Sequence, residues 1–518
     1  MRFYNSLTQK IEEFKPQQDG VVKMYTCGPT VYHFAHIGNL RSYIMEDVLE
    51  KTLRFVGYNV VRCMNITDVG HLTGDSDEGE DKMLLGAKRE NKTVLDIAKF
   101  YTDKFKQDCA DLNIKWPEIV VPATSCIDEY IHMIEVLLDK DYAYQSNGNV
   151  YFDVSKLHNY YTLTNHKADD MLVGVREGVE QDAGKRNQAD FALWFTKSKF
   201  ADQELKWDSP WGVGYPGWHI ECSGISCKYL GEYLDIHCGG VDNKFPHHTN
   251  EIAQSEAYLG HKWCNYWFHV EHLNGENGKM SKSEGGFVTV DSLKEKGYSP
   301  LVYRFFCLMS HYAKPLVFSF DRLDGAVSAY NKLKERVIAL KKDVMNANNI
   351  ANNEDLYSII KNSYTQTIKN KDEFYNKYQS NIDNVDDTIT TSINHDALLG
   401  DILAETSEEL YNRFKNALED DLNTSRAITV LYDVLKADIC DENKLYLISE
   451  FDKVLGLDLL KEELVEDDTP EEVKEMAEAR WIAKQNRDWG KADELRAKIT
   501  SLGYQILDSK DGYTIKKI

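Results

Sequence analysis

The sequence predicts an α/β fold: a parallel-sheet domain interrupted by an insertion, then an α-helical bundle and a small mixed α/β C-terminal domain. Three observations predict it. The chain opens on a strand–turn–helix–strand run, strand–helix alternation returns around 217–272, and about 320–465 reads as helix throughout. Strands alternating with helices build a parallel sheet of the Rossmann type.

Each element follows from a local pattern. Val21-Val22-Lys23-Met24-Tyr25 is β-prone and ends in the turn Thr26-Cys27-Gly28-Pro29-Thr30. From about Asn39 to Phe55, the residues Ile44, Val48, Leu49 and Leu53 recur at helical spacing. Tyr58–Asn65 is β-rich again. Residues from about 91 to 145 read as mostly helical, and 146–205 as irregular with a β-like patch at Val150–Val154. Within the helical region, 343–395 is rich in Asn and Asp and reads as an exposed, partly ordered insertion. Gly456 to Pro470 reads as an acidic linker. One final helix is expected over about 471–501, then a hairpin of Tyr504–Leu507 and Tyr513–Lys517 around Asp511-Gly512.

Composition narrows the class. The chain has 518 residues, 42% hydrophobic and 28% charged, ordinary for a globular protein of several domains. No run of about 18 apolar residues marks a membrane span, and MRFYNSLTQKIEEF has no apolar signal core. Ten cysteines without a CxxC pair read as reduced thiols in a cytoplasmic protein. A formal net charge of −23 argues against a non-specific nucleic-acid binder. It leaves room for a specific one with a local basic track.

Two short motifs carry chemistry. His36-Ile37-Gly38-Asn39 lies between a strand and a helix, where free backbone N–H groups and the helix dipole attract phosphate. Gly38 permits close approach and His36 is a donor. Lys279-Met280-Ser281-Lys282-Ser283 has glycines on both sides, and its two lysines suit a clamp on a triphosphate.

Together these motifs resemble the HIGH and KMSKS signatures of class I aminoacyl-tRNA synthetases, with Asn39 where the signature has a second histidine. The strings CGPTVY, GWHIECS and FPHH-x-NE are similar to those of the cysteine-specific members, as are Asn65-Ile66-Thr67-Asp68, Lys185-Arg186-Asn187, Asp190-Phe191-x-Leu193-Trp194 and Ser209-Pro210-Trp211-Gly212. The similarity runs from about Phe3 to Phe318 and resumes weakly in the last third.

The resemblance implies a cysteine–tRNA ligase activity: cysteine and ATP give an adenylate and pyrophosphate, and the cysteinyl group passes to the terminal adenosine of tRNA(Cys). It implies His36, Asn39, Lys279 and Lys282 as catalytic groups, and His36, Gly38, Asn39, His237, Asp242 and Lys282 around ATP, with Mg2+ expected. It implies one zinc ion per chain, held by Cys27, Cys222, His247 and Glu251, with His248 the competing histidine. Two sulfurs, an imidazole and a carboxylate are suitable zinc ligands. Cys27, Thr67 and Trp218 would form the cysteine pocket. Lys484, Trp489, Asp493 and Arg496 would contact the anticodon, with Lys484 where the family pattern has Arg. Asn486–Ile518 holds seven Lys/Arg against five Asp/Glu, a basic end on an acidic chain.

The implied division is 1–115 and 205–275 for the two halves of the catalytic sheet, 116–204 for the connective insertion, and 276–330 for the loop and stem-contact region. The helical tRNA-binding bundle is 331–465 and the anticodon-recognition domain 466–518. A monomer without membrane association is expected. Two other readings compete: a ligase joining cysteine to an amino sugar, which would lack the tail around Trp489, and an inactive zinc- or RNA-binding paralogue, which would have lost His36 or the loop lysines.

Overall fold

A five-stranded parallel sheet carries the first unit of the chain, Met1–Leu460. The computed structural model describes residues 1–68, 93–164, 184–197, 205–276, 278–279, 288–382, 395–462, 470–486, 488–508 and 513–517. In chain order the first elements are β1 (Arg2–Asn5), β2 (Lys10–Glu13), β3 (Val21–Thr26), α1 (Ile37–Phe55), β4 (Asn59–Ile66), α2 (Val94–Asp111), β5 (Ile119–Pro122) and α3 (Ile127–Asp139). The insertion contributes β6 (Ala143–Ser146), β7 (Asn149–Phe152), β8 (Phe191–Phe195) and β9 (Tyr215–Pro216), an antiparallel sheet of its own. Then follow α4 (Trp218–Leu230), β10 (Leu234–Gly240), α5 (His247–Leu259), β11 (Cys264–Val270), β12 (Leu273–Gly275), β13 (Gly278–Lys279), α6 (Val290–Glu295), α7 (Pro300–Leu308) and β14 (Leu316–Val317).

The central sheet has the order β11-β10-β3-β4-β5. From β3 the chain winds outward through β4 and β5, and on its return it adds β10 and β11 on the other side. The winding therefore reverses between β3 and β10, and a crevice opens beyond their C-terminal ends, as at any such switch point. The run expected to be mostly helical over 91–145 also contains β5. Its four residues, Ile119-Val120-Val121-Pro122, are too few to show a period, and pairing with β4 decides their state.

The helical bundle is α8 (Phe320–Ala347), α9 (Asn353–Ile382), α10 (His395–Glu419), α11 (Thr424–Val434) and α12 (Asp441–Leu455). Here the reading of 343–395 as an exposed insertion needs correction. Residues 353–382 form one long helix, with Leu356 and Ile360 buried in the core. Among its described side chains up to Lys369, most of the polar ones are exposed. Residues 383–394 lie outside the described residues. The linker reading of 456–470 also shifts, because Leu457 and Leu459 are buried and their N–H groups donate to Asp452.

A buried charge network joins sheet domain and bundle. Asp47 on α1 accepts from Arg304 on α7 at 2.7 Å, from Lys51 at 2.7 Å and from the Lys115 N–H at 2.8 Å. Arg304 also donates to the carbonyls of Leu455, Leu112 and Asn113. Glu46 and Glu50, one turn away on α1, face Arg62 of β4. At a second junction Asp421 accepts from Tyr4 N–H and Tyr312 Oη, while Thr424 donates to the Leu308 carbonyl.

The second unit, Lys461–Ile518, has a small core of Val473, Ala477, Ile499, Tyr504 and Ile506. The single helix expected over 471–501 is two: α13 (Glu471–Gln485) and α14 (Trp489–Ser501), the latter capped by the Asp488 side chain. The antiparallel pair β15 (Tyr504–Asp508) and β16 (Tyr513–Lys517) completes it.

Both partners of the Asp47–Arg304 pair are fully buried, so removing one charge strands the other. Asp47→Asn is expected to lower unfolding free energy by about 3–5 kcal/mol, measured by denaturant titration at unchanged m-value. A loss within experimental error would show that the pair does not hold the junction.

Candidate active site and metal centre

The crevice at the switch point has a volume of about 440 Å³ and runs from Cys27 past His36 to His272. Its floor starts where β3 ends. Gly28 is required there: a Cβ would lie 1.6 Å from the Asn65 carbonyl oxygen. The Gly28 N–H donates to the Asn65 side chain at 2.7 Å, and the Cys27 N–H reaches the Cys238 carbonyl at 3.3 Å. The Cys27-Gly28 turn is thus pinned to the strands on both sides.

Four of the expected side chains converge. The ligand atoms of Cys27, Cys222, His247 and Glu251 all lie within 4.8 Å of one another. Cys27 comes from the end of β3, Cys222 from α4, and His247 and Glu251 from the first turns of α5, one above the other at i,i+4. The Cys27 and Cys222 sulfurs are 3.8 Å apart, Cys222 Sγ is 3.5 Å from His247 Nε2, and that nitrogen is 3.0 Å from Glu251 Oε1. A second grouping, Cys27, His237, His248 and Glu251, meets the same distance criterion. The first contains two sulfurs, the second two imidazoles.

An outer layer orients these groups, as metal sites require. His219 Nδ1 lies 2.9 Å from His247 Nδ1, which directs His247 Nε2 toward the cluster. His269 does the same for His248 through its Nδ1 at 2.8 Å. Glu251 Oε2 is held by His237 Nε2 at 2.8 Å.

Electrostatics favour charged donors. Burial opposes ionisation of Glu251, but His237 and His247 outweigh it and hold the carboxyl at about 2. Burial also opposes charge on His247, and the Glu251 carboxylate reverses the effect, raising the ring to about 10. Desolvation and the adjacent Cys222 sulfur hold Cys27 well above the usual thiol range. Cys222 lies below that range, because the Cys27 thiol and the His247 ring overcome its desolvation. The Cys27 thiol and the His247 imidazolium therefore hold their protons here, and a cation bound at the cluster would have to displace them.

The other expected residues are placed unevenly. His36 and Asn39 cap α1 reciprocally: the Asn39 N–H donates to His36 Nδ1 at 3.2 Å, and the His36 N–H to Asn39 Oδ1 at 3.4 Å. Both line the crevice, as do Gly38, Asp242 and Trp218. Trp218 packs over the His247 ring at 4.7 Å between centroids. Lys279 has its backbone on β13, paired with Asn274. Lys282 lies outside the described residues.

Two placements differ from expectation. His237, expected beside adenosine, is fully buried behind the cluster, stacked on Trp267 and bonded to Glu251. Thr67, expected against the amino acid, is buried and donates to Glu221 at 2.8 Å. Its backbone instead clamps the turn, taking the Val31 N–H and donating to the Pro29 carbonyl. His237 lies on β10, which is buried on both faces, and Thr67 directly follows β4, bridged to Thr30.

Sequence reasoning missed Glu46 on the crevice wall. Burial pushes its carboxyl up to about 8 against the pull of Arg62. It also missed His219 and His269. Nothing in their local strings marks them as supports, since only the fold brings them to the cluster.

In the second unit, Trp489 is 58% exposed at the start of α14. Asp493 and Arg496 follow at i+4 and i+7 and line a shallow groove with Ala497, Thr500 and Ser501. Lys484, on α13, lies over the Trp481 ring at 5.3 Å.

The chain is similar in sequence to known proteins. Residues 13–328 match the family model for the tRNA synthetases class I (C) catalytic domain, and residues 413–437 match the DALR domain. The cysteine–tRNA ligase of Treponema denticola is 42% identical over 527 aligned residues, covering 100% of both chains. That of Borrelia garinii subsp. bavariensis is 39% identical over 523, covering 100% of this chain and 99% of its own. Among solved structures, a putative arginyl tRNA synthetase from Campylobacter jejuni superposes with a TM-score of 0.46 at 13% identity, covering 86% of this chain and 94% of that one.

Gly28→Ala tests the floor of the crevice. The clash is with backbone, which cannot rotate away, so β3 and β4 must part at their ends. The expected outcome is a stability loss of about 3 kcal/mol or more in thermal or denaturant unfolding. Wild-type stability would mean that the turn has room for a side chain.

Proposed function

The chain belongs to the cysteine-type class I tRNA synthetases, and from that premise we propose that it activates cysteine with ATP and transfers it to tRNA. The observation that carries the cysteine reading is the convergence of Cys27, Cys222, His247 and Glu251 beside the helix that begins at His36.

The donor set fits zinc. Cys27 and Cys222 would bind as thiolates, His247 through Nε2 and Glu251 through Oε1, with one ion per chain. A zinc ion held there would supply a Lewis acid that lowers a thiol pKa and favours the substrate thiolate over a serine hydroxyl. Shape alone discriminates poorly between such near-isosteres. Trp218, packed on His247, bounds the side-chain pocket. His237 and Thr67 act from outside it, through Glu251 and through the Cys27-Gly28 turn.

Activation is a displacement at phosphorus. The cysteine carboxylate forms a bond to the α-phosphorus of ATP, the bond to the β-phosphate bridge breaks, and pyrophosphate leaves, with Mg2+ accompanying the phosphates. No side-chain nucleophile is needed; the residues position and neutralise. His36 Nδ1 accepts from the Asn39 N–H, so the neutral ring carries its proton on Nε2 and has a donor for a phosphate oxygen. The N-terminus of α1 adds its dipole. Gly38 and Asp242 border the nucleotide, and Lys279 and Lys282 take the charge of departing pyrophosphate. The adenosine hydroxyl of the tRNA then attacks the carbonyl carbon and releases AMP.

Support for tRNA as acceptor is the DALR match and the exposed Trp489 with Asp493 and Arg496 beneath it. An exposed Trp at a helix start offers a stacking face to an unpaired base. Lys484 stands apart on α13 and contributes charge. In the six-part division 466–518 reads the anticodon, and the connective part moves from 116–204 to the segment between β5 and α4, because β5 pairs in the catalytic sheet and β9 in the insertion's own sheet. We read the chain as a cytoplasmic monomer, and its ten free thiols suit a reducing compartment. None of its described helices is long and apolar enough to cross a membrane.

Two measurements test the reading. Purified chain is expected to catalyse cysteine-dependent ATP–pyrophosphate exchange, and Cys222→Ser to lose zinc by metal analysis and about 100-fold or more of its discrimination against serine. Retained zinc with unchanged selectivity would sink the metal mechanism. Trp489→Ala is expected to raise the tRNA concentration for half-maximal charging about 5- to 100-fold, from a stacking contribution of roughly 1–3 kcal/mol. An unchanged charging curve would remove Trp489 from the interface.

A further inference from the structure

We propose that Arg41 is a positioning residue for adenylate formation: its guanidinium holds the segment Glu271–Leu273, and through it the strand that carries Lys279, against the helix that begins at His36. The inference rests on the reading that this crevice activates an amino acid with ATP.

Arg41 lies on α1 one turn beyond Ile37-Gly38 and is fully buried. Its guanidinium donates to four main-chain carbonyls: Glu271 at 2.5 Å, His272 at 2.7 Å, Lys314 at 2.7 Å and His311 at 3.3 Å. Those carbonyls belong to two separate turns, one leading into β12 and one leading into β14. No carboxylate is among the acceptors, and Arg41 Nε has no hydrogen-bond partner. Desolvating a cation for neutral acceptors is a poor route to stability. The arrangement makes better sense as geometry. A guanidinium presents donors in a rigid planar fork, and such a fork can hold two turns at one spacing.

What it holds is one wall of the crevice. Glu271, His272 and Leu273 line the crevice, and a Cβ on Gly38 would come within 3.8 Å of the Leu273 side chain. β12 starts at Leu273. It pairs with β14 through Leu273–Leu316 and Asn274–Val317, and with β13 through Asn274–Lys279. The far end of the same signature is tied to the same helix: the Ile37 N–H donates to the Val288 carbonyl at 2.9 Å. The first turns of α1 therefore hold the chain both before Lys279 and after the signature. The separation between the His36 donor and the Lys279 backbone depends on Arg41, although Arg41 touches neither substrate.

A shift of about 1 Å between reacting partners costs on the order of 100-fold in rate. Arg41→Lys keeps the charge but offers a point donor in place of the fork. The variant is expected to lose about 100-fold in kcat for cysteine-dependent ATP–pyrophosphate exchange, with zinc content, KM for cysteine and unfolding midpoint near wild type. In Arg41→Ala, guanidinium ion is expected to restore part of the rate and methylammonium to restore none. The proposal is overturned if Arg41→Lys exchanges at the wild-type rate. It is equally overturned if both variants lose activity only in proportion to folded protein and guanidinium does nothing. Absence of exchange in the wild-type chain would sink the activation reading itself, which separates that failure from this one.

Discussion

The site depends on one pairing: β3 against β10 in a single parallel sheet. Met24 sits opposite Ile236 and Thr26 opposite Cys238, so segments more than two hundred residues apart share one register. A slip of one residue would turn every side chain to the opposite face. In the register found, the turn after β3 delivers Cys27 and the turn after β10 delivers α5 with His247 and Glu251. The helix α4, which precedes β10, brings Cys222 from the same side. No local sequence feature makes this cluster. It is a property of strand order, and the insertion between β5 and α4 is tolerated because it leaves that order intact.

Around this pairing the chain places its buried charges in separate groups. Glu46, Glu50 and Asp47 on one face of α1 meet Arg62, Arg54, Lys115 and Arg304. Arg41 on another face meets carbonyls alone. The acidic cluster partner Glu251 meets histidines. Two of the described buried cations bridge separate parts of the chain. Arg304 joins sheet to bundle; Arg62 fixes the spacing between α1 and β4. Because α1 carries members of two groups, its first turn is fixed in position relative to both the bundle and the β12–β14 wall. The His36 end of that helix is therefore tied both to the bundle and to the crevice wall.

Legibility in the sequence follows the range of each interaction. β3, α1 and β4 were readable because hydrophobic period and turn residues lie within a few positions of one another. The two signature motifs were readable for the same reason. β5 was not, since four residues carry no period. The break between α13 and α14 was not, because Asn486-Arg487-Asp488 contains neither Gly nor Pro and only the Asp488 cap marks it. The long helix α9 reads as an insertion because its sequence is dominated by polar residues. At the site, the four clustered residues came from resemblance alone, their spacing in sequence being uninformative. His237 and Thr67 also came from resemblance, and the structure places both behind the crevice surface. Both belong to strands or strand ends at the crevice, but their side chains face inward, and that choice is made by pleat and packing.

The departure at Asn39 is where local and distant constraints meet. The signature has a histidine there, and Asn supplies less reach and no titratable ring. Yet the position is N3 of α1, where a side-chain acceptor can return a hydrogen bond to the cap residue. Asn39 does so to the His36 N–H, and His36 in turn accepts from the Asn39 N–H. The exchange leaves the backbone of the first turn satisfied at the cap and assigns the His36 proton to Nε2. The bond that fixes this tautomer comes from the Asn39 main-chain N–H, and the carboxamide contributes the return bond from the His36 N–H. The turn it stabilises is the one that Arg41 and Ile37 tie to the Lys279 strand and to Val288. Asn39 thus preserves both the orientation of His36 and the frame against which the second signature is set, and neither role requires a second imidazole.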